Sequence, residues 1–144
     1  MAATTLTTTS PQTLIVALTL VGLMELGNAG WMLAAPEHWY WSIPGVPNTG
    51  PFNEHFVRDI GLVFLTLGGA HMWAAVHKAY RVPLTAIGAA WLTAHALYHV
   101  IDIARGCLPP VHWWTDGVTV FLPALLATSL AVIAYLQSDR GDIE

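Results

Sequence analysis

The sequence is organised around the stretch NEHFVRDIG, residues 53–61. This stretch opens a long apolar segment, and it brings four ionisable side chains close to the segment's start: Glu54, His55, Arg58 and Asp59. On a helix, His55 and Asp59 share one face because they are four residues apart. Ionisable groups at the depth of a membrane are costly and generally mark a functional site. The stretch is therefore the first candidate for one.

The composition is that of a membrane protein. The chain has 144 residues, of which 55% are hydrophobic and only 10% charged, against about 25% charged in ordinary soluble domains. Its formal net charge of −4 and the absence of a basic block exclude nucleic acid as a partner. Cys107 is the single cysteine, which excludes an internal disulfide and cysteine-rich zinc or iron–sulfur sites.

Four apolar segments are each close to the roughly 20 residues that a transmembrane helix needs. Their predicted bounds are about 13–35, 54–79, 84–104 and 115–136, with tails at 1–12 and 137–144. The predicted fold is all-α: an integral membrane protein with four transmembrane helices in an antiparallel up-down bundle, forming one domain over residues 1–144. The first segment is predicted to be retained, because no basic residue precedes it as in a signal peptide.

Basic residues predict the orientation of the bundle in the membrane, and small residues predict where its helices pack closely. Lys78 and Arg81 lie in the second connection and Arg140 in the C-terminal tail, whereas Arg105 lies on the other side. The positive-inside rule then places both termini in the cytoplasm of a bacterial cell and the loop 36–52, rich in Trp and Pro, in the outer headgroup layer. Gly68 and its neighbour Gly69 predict close packing against another helix.

A second polar group lies on the third segment, where His95, His99 and Asp102 form one helical stripe. In an antiparallel bundle, the end of this segment and the start of the second share a leaflet, here the outer one. The predicted metal ligands are therefore His55, Asp59, His95, His99 and Asp102. Glu25, on the first segment, is expected roughly at the level of His95, at the inner edge of the same cavity.

The chemistry follows from these residue types. Imidazole and carboxylate without thiolate suit Fe, Mn, Zn or Cu(II), so the predicted cofactor is a transition metal. If the protein is an enzyme, the expected chemistry is metal-assisted redox chemistry on a small or hydrophobic substrate. Arg58 would then stabilise charge or orient a carboxylate, and Glu25 is the second candidate catalytic residue.

Other interpretations stay open. The polar residues can form a structural network in a homo-oligomer or in an accessory subunit of a larger membrane complex. Haem b or a quinone can bind instead, with His55 and His99 as axial haem ligands. Arg58 can belong to an interfacial ion pair, and a lone His71 is typical of a hydrogen-bonded contact between helices. His38 and His112 lie in predicted loops, so they are optional members of the site.

Residues 50–61, GPFNEHFVRDIG, followed by His95 and His99, resemble a family of small bacterial four-helix membrane proteins. The resemblance covers the first three helices, including the loop rich in Trp and Pro. It implies the four-helix topology and the bacterial inner membrane. It implies no reaction and no catalytic role for any residue.

Overall fold

The computed structural model describes residues 10–141, and the regular elements in this part of the chain are helical. They are α1 (Pro11–Ala34), α2 (Pro36–Ser42), α3 (Glu54–Val76), α4 (Arg81–Ala104), α5 (His112–Asp116) and α6 (Leu122–Gly141). A π-helical segment, Gly117–Phe121, joins α5 to α6, and short 3₁₀ turns lie at Val46–Asn48 and Lys78–Tyr80. Most of the predicted N-terminal tail, residues 1–9, and residues 142–144 of the C-terminal tail lie outside the described part.

Within residues 10–141, four stretches are long and apolar enough to cross a membrane: Pro11–Ala34, Glu54–Val76, Lys78–Ala104 and His112–Asp139. They correspond to the four predicted segments. The long helices form a closed ring, in which α1 packs on α3, α3 on α4, α4 on α6, and α6 on α1.

The two helices that flank the first connection begin at polar caps. The Ser10 hydroxyl accepts a hydrogen bond from the Thr13 amide at 3.1 Å, immediately before α1. Asn53 caps α3 as its residue type predicts, because its side-chain oxygen accepts from the Phe56 amide at 3.1 Å. Residues 53–61 are thus the cap and the first two turns of α3.

The second connection lies about three residues earlier in the chain than the hydropathy pattern predicts. Helix α3 ends at Val76, and α4 begins at Arg81 with Pro83 in its first turn, where a missing amide proton is tolerated. Arg81 is buried, and its guanidinium donates to the carbonyl oxygens of Ala74 and Ala75 at 3.0 and 3.2 Å. This side chain therefore satisfies carbonyls that the end of α3 leaves open.

Both remaining connections contain helices that the turn-forming residues did not predict. Residues 36–52 include α2, which starts at Pro36 because proline is suited to a first helical position. Tyr40 holds this segment folded, since its buried hydroxyl donates to the carbonyl oxygen of Gly50. In the last connection, helical structure begins at His112 and not at residue 115.

Glycine lets α1 and α3 approach closely. Gly68 is buried, and a Cβ there would lie 2.8 Å from Leu26 Cγ and 2.9 Å from the carbonyl oxygen of Gly22. The predicted helix contact is therefore confirmed for Gly68. Gly69 is exposed, and no atom lies within 4 Å of its Cβ position among the described residues.

Candidate metal centre

Three side chains converge where α4 meets α5. Asp116 Oδ2 lies 2.7 Å from His99 Nδ1, and both Asp116 carboxylate oxygens lie 3.0 Å from His112 Nδ1. The side chains of His112 and Asp116 are almost fully buried, and His99 is 14% exposed. Each residue offers one ligand atom, and these atoms all lie within 4.8 Å of one another. Among the described residues, this group could hold a metal ion.

Local structure brings these residues together. His112 and Asp116 are four residues apart on α5, so they lie on one face. His99 comes from the neighbouring helix α4, little more than a turn before its end at Ala104. The chain continues into the π-helical segment Gly117–Phe121, an irregularity that is frequent at functional sites.

The connection between α1 and α3 covers the group. Gly45 adopts φ +91°, and a Cβ there would lie 3.0 Å from His112 Cε1 and 3.2 Å from Asp116 Oδ1. Asn48 Nδ2 lies 3.3 Å from His112 Nε2. A side chain at position 45 would be strained by the backbone and would press on the site. The first and last connections therefore meet at the same end of the bundle.

The separations between each imidazole and the carboxylate fit hydrogen bonds as they stand, and a metal ion would need them to widen slightly. Ligand atoms about 2.1 Å from a tetrahedral ion lie about 3.4 Å apart, because the edge of a tetrahedron is about 1.6 times its centre-to-vertex distance. The 2.7–3.0 Å separations between imidazole nitrogens and carboxylate oxygens would therefore open by about half an ångström. Thr115 Oγ1, which donates to Asp116 Oδ1 at 3.2 Å, would hold the carboxylate in place.

His95 belongs to the surroundings of the group. Its ring centroid lies 4.7 Å from that of His99 and 5.0 Å from that of Trp91. A shallow cleft of about 300 Å³ lies beside it, lined by Trp91, Ala94, His95 and Tyr98. The sequence-predicted pair His95 and His99 is thus brought together, with His99 in the group and His95 beside it.

The other predicted ligands lie elsewhere. His55 Nε2 and Asp59 Oδ2 are 3.4 Å apart, with the His55 side chain 90% exposed, so they pair with each other on the surface of α3. The main-chain carbonyl oxygen of Asp102 accepts hydrogen bonds from the amides of Cys107 and Leu108, and its carboxylate has no hydrogen-bond partner among the described residues. None of the three is in the group that could hold a metal among the described residues. Their role as ligands stays a prediction.

The two candidate catalytic residues also have partners of their own. Arg58 Nη1 lies 2.7 Å from Glu54 Oε1, and Arg58 Nε donates to the Leu33 carbonyl oxygen at 3.3 Å. Arg58 thus makes the ion pair that the sequence left open as an alternative. Glu25 Oε2 lies 2.6 Å from His71 Nδ1, so the interhelical contact predicted for His71 is confirmed.

Glu25 lies deeper in the bundle, farther from the end that carries His99, than the sequence predicts. Its partner His71 sits against Gly88 of α4, where a Cβ would lie 2.8 Å from His71 Nε2. Gly88 is seven residues before His95, which is about 10 Å along the helix axis. Glu25 is therefore at the level of Gly88 and not at the level of His95.

Sequence reasoning did not assign Asp116 to the site and treated His112 as optional. Their four-residue spacing is the same signal that selected His55 and Asp59. Pro109 and Pro110 precede them and are typical of a loop, which hid the start of a helix at His112.

No known protein-family model matches the chain, and neither a curated protein nor a solved structure is similar to it.

Proposed function

We propose that the chain is an integral protein of the bacterial inner membrane that binds one transition metal ion between His99, His112 and Asp116. The observation that carries the proposal is the convergence of two imidazoles on one buried carboxylate, with all three ligand atoms within 4.8 Å. Such groups are rarely buried in a membrane protein unless they are paired or bound. Iron, copper and zinc are the ions that this donor set favours.

The proposed topology is an antiparallel bundle with both termini in the cytoplasm, which puts the metal at the outer end beneath the connection between α1 and α3. Lys78 in the second connection supports this orientation. The covering connection carries Trp39, Tyr40 and Trp41, residue types that favour the headgroup layer.

Three protein ligands leave a coordination position for water or a substrate, as in catalytic zinc sites. The cleft beside His95 gives a small or hydrophobic molecule access from the lipid side to the neighbourhood of His99. Metal-assisted redox chemistry on such a substrate is the proposed activity. His95 is placed to orient the substrate or to exchange a proton with it, because its ring contacts that of His99.

A second candidate function rests on the same hydrogen bonds. Asp116 accepts bonds from both imidazoles and from Thr115, and Asn48 pairs with His112 Nε2, so these polar groups have partners without an ion. In that case the network stabilises a small bundle that acts as an accessory subunit of a larger membrane complex or forms a homo-oligomer.

Elemental analysis and an optical spectrum of purified protein separate these functions. Wild type should carry about one ion per chain, and Asp116→Asn should bind the same metal at least about tenfold more weakly. Asp59→Asn is the matched control, because the same chemical change falls on an exposed carboxylate of the sequence-predicted set, and it should retain the metal.

Three results would contradict the proposed metal site. If Asp59→Asn loses the metal and Asp116→Asn keeps it, the metal binds on α3 and not at His99, His112 and Asp116. Wild type without metal, together with an unstable Asp116→Asn, would support the structural network. A Soret band would indicate haem.

A further inference from the structure

A second polar pair lies inside the bundle, away from the proposed metal ligands. Glu25 of α1 and His71 of α3 are joined through Oε2 and Nδ1 at 2.6 Å, and their side chains are only 2% and 0% exposed. Glu25 Oε1 and His71 Nε2 are buried and have no hydrogen-bond partner among the described residues. Buried polar atoms in folded proteins nearly always have partners, so these two atoms need an explanation.

The packing leaves space for the imidazole but gives Nε2 no acceptor. A Cβ at Gly88 would lie 2.8 Å from His71 Cε1 and Nε2, so the ring occupies the volume that a side chain at position 88 would fill. The His71 ring is therefore packed tightly against Gly88 of α4. On α1, the other free atom, Oε1, lies on the same carboxylate that binds Nδ1.

We infer that Glu25 and His71 together form a binding site for one exchangeable proton, with Nε2 and Oε1 as the atoms through which it enters and leaves. In the proton-bound state the pair is neutral, either as imidazolium and carboxylate or as imidazole and carboxylic acid. Nε2 carries a hydrogen in both of these forms, because Nδ1 is occupied by the bond to Glu25. In the released state Nδ1 carries the single hydrogen of the ring, Nε2 has a lone pair, and the pair carries one negative charge.

Arg81 partly offsets the negative charge of the released state. Its buried guanidinium binds the carbonyls of Ala74 and Ala75, which lie about one helical turn beyond His71. The proton-bound pair carries no net charge of its own, and the positive charge of Arg81 on the same side of the bundle offsets part of the negative charge of the released pair. Release of the proton therefore does not leave a wholly uncompensated negative charge in the interior.

The other helices present few competing groups at this level. Glu25 is the sole ionisable residue in α1, and residues 122–134 of α6 contain none. On α4, His95 is seven residues from Gly88, about 10 Å along the axis, and so is Arg81 in the opposite direction. On α3, His55, Arg58 and Asp59 lie at the far end, and His77 lies six residues past His71. Among these residues, Arg81 is the buried cation on the inner side of the pair.

Nitrogen NMR of purified protein with ¹⁵N-labelled histidine tests the inference on wild type. The His71 signals are assigned by contacts of the ring with the Gly88 α-protons. As the pH is raised, Nε2 should change from a hydrogen-bearing to a bare nitrogen while the protein stays folded. In D₂O the Nε2 hydrogen should exchange well before the amides in the middle of α3.

Glu25→Gln should abolish the pH-dependent change at Nε2, because a neutral amide removes the acid partner. Glu37→Gln, at an exposed carboxylate on α2, is the matched control and should leave the change intact. The inference is overturned if Nε2 of wild type keeps one state wherever the protein is folded, or if its hydrogen exchanges as slowly as the amides in the middle of α3. Either result would make the pair a fixed structural bond, even if Glu25→Gln does not fold.

Discussion

Replacing Gly68 by alanine tests whether the close approach of α1 and α3 holds the bundle together. The added methyl group would lie 2.8 Å from Leu26 Cγ and 2.9 Å from the Gly22 carbonyl oxygen, so both helices would have to shift. Overpacking of this kind typically costs about 1–3 kcal/mol. Gly69→Ala is the matched control because its methyl group meets no atom within 4 Å. Alanine's advantage over glycine in a helix, about 1 kcal/mol, applies to both variants and cancels in the comparison.

The measurement is the free energy of unfolding of both variants in mild detergent, titrated with a denaturing detergent. Gly68→Ala should be less stable than Gly69→Ala by about 1–3 kcal/mol, and Gly68→Leu should be less stable still. Size-exclusion chromatography of each variant checks that the oligomeric state is the same. Equal stability of the two alanine variants would refute the tight α1–α3 contact, since the same substitution would then be harmless on both faces.

Further predictions concern the two ends and the interior of the bundle. Arg81→Ala should lower the free energy of unfolding by about 1–3 kcal/mol because the last carbonyls of α3 lose their donors, whereas Lys78→Ala, at an exposed position, should change it by less than about 0.5 kcal/mol. Glu25→Leu or His71→Leu alone should lower the free energy of unfolding by about 3–5 kcal/mol. In a double-mutant cycle measured by the same titration, the double variant should lose less than the sum of the two single losses. Additive losses would contradict the interaction between Glu25 and His71. An impermeant thiol reagent added outside intact cells should label the exposed Cys107 of wild type but not a cysteine that replaces Lys78 in a Cys107→Ser background. The reverse labelling pattern would invert the proposed topology.

The four long helices follow from the sequence because hydropathy and length are properties of continuous segments. Residues 11–34 and 54–76 are apolar over the length that a membrane requires, and the Asn53 cap marks where the second of them begins. One predicted helix end differs because a side chain from outside the helix binds it. Arg81 is that side chain, since it binds the end of α3 from the first residue of α4.

The candidate site was harder to predict because it depends on how far each helix is shifted along its neighbour. Helical periodicity correctly brings His95 and His99 onto one stripe, but it contains no information on which residue of α1 faces His71. The depth of Glu25 was therefore misplaced by about two turns. Asp116 was missed because the helix that pairs it with His112 starts directly after two prolines, in a stretch whose composition is that of a loop.

The most direct test of the account is X-ray absorption spectroscopy of the purified protein at the edge of whichever metal it carries. The account predicts a first shell of nitrogen and oxygen atoms at about 2.0–2.2 Å and outer-shell scattering from two imidazole rings. In His112→Ala, the contribution of one ring should disappear. A bound ion without imidazole scattering, or a spectrum that His112→Ala leaves unchanged, would contradict the assignment of His99, His112 and Asp116 as a metal centre.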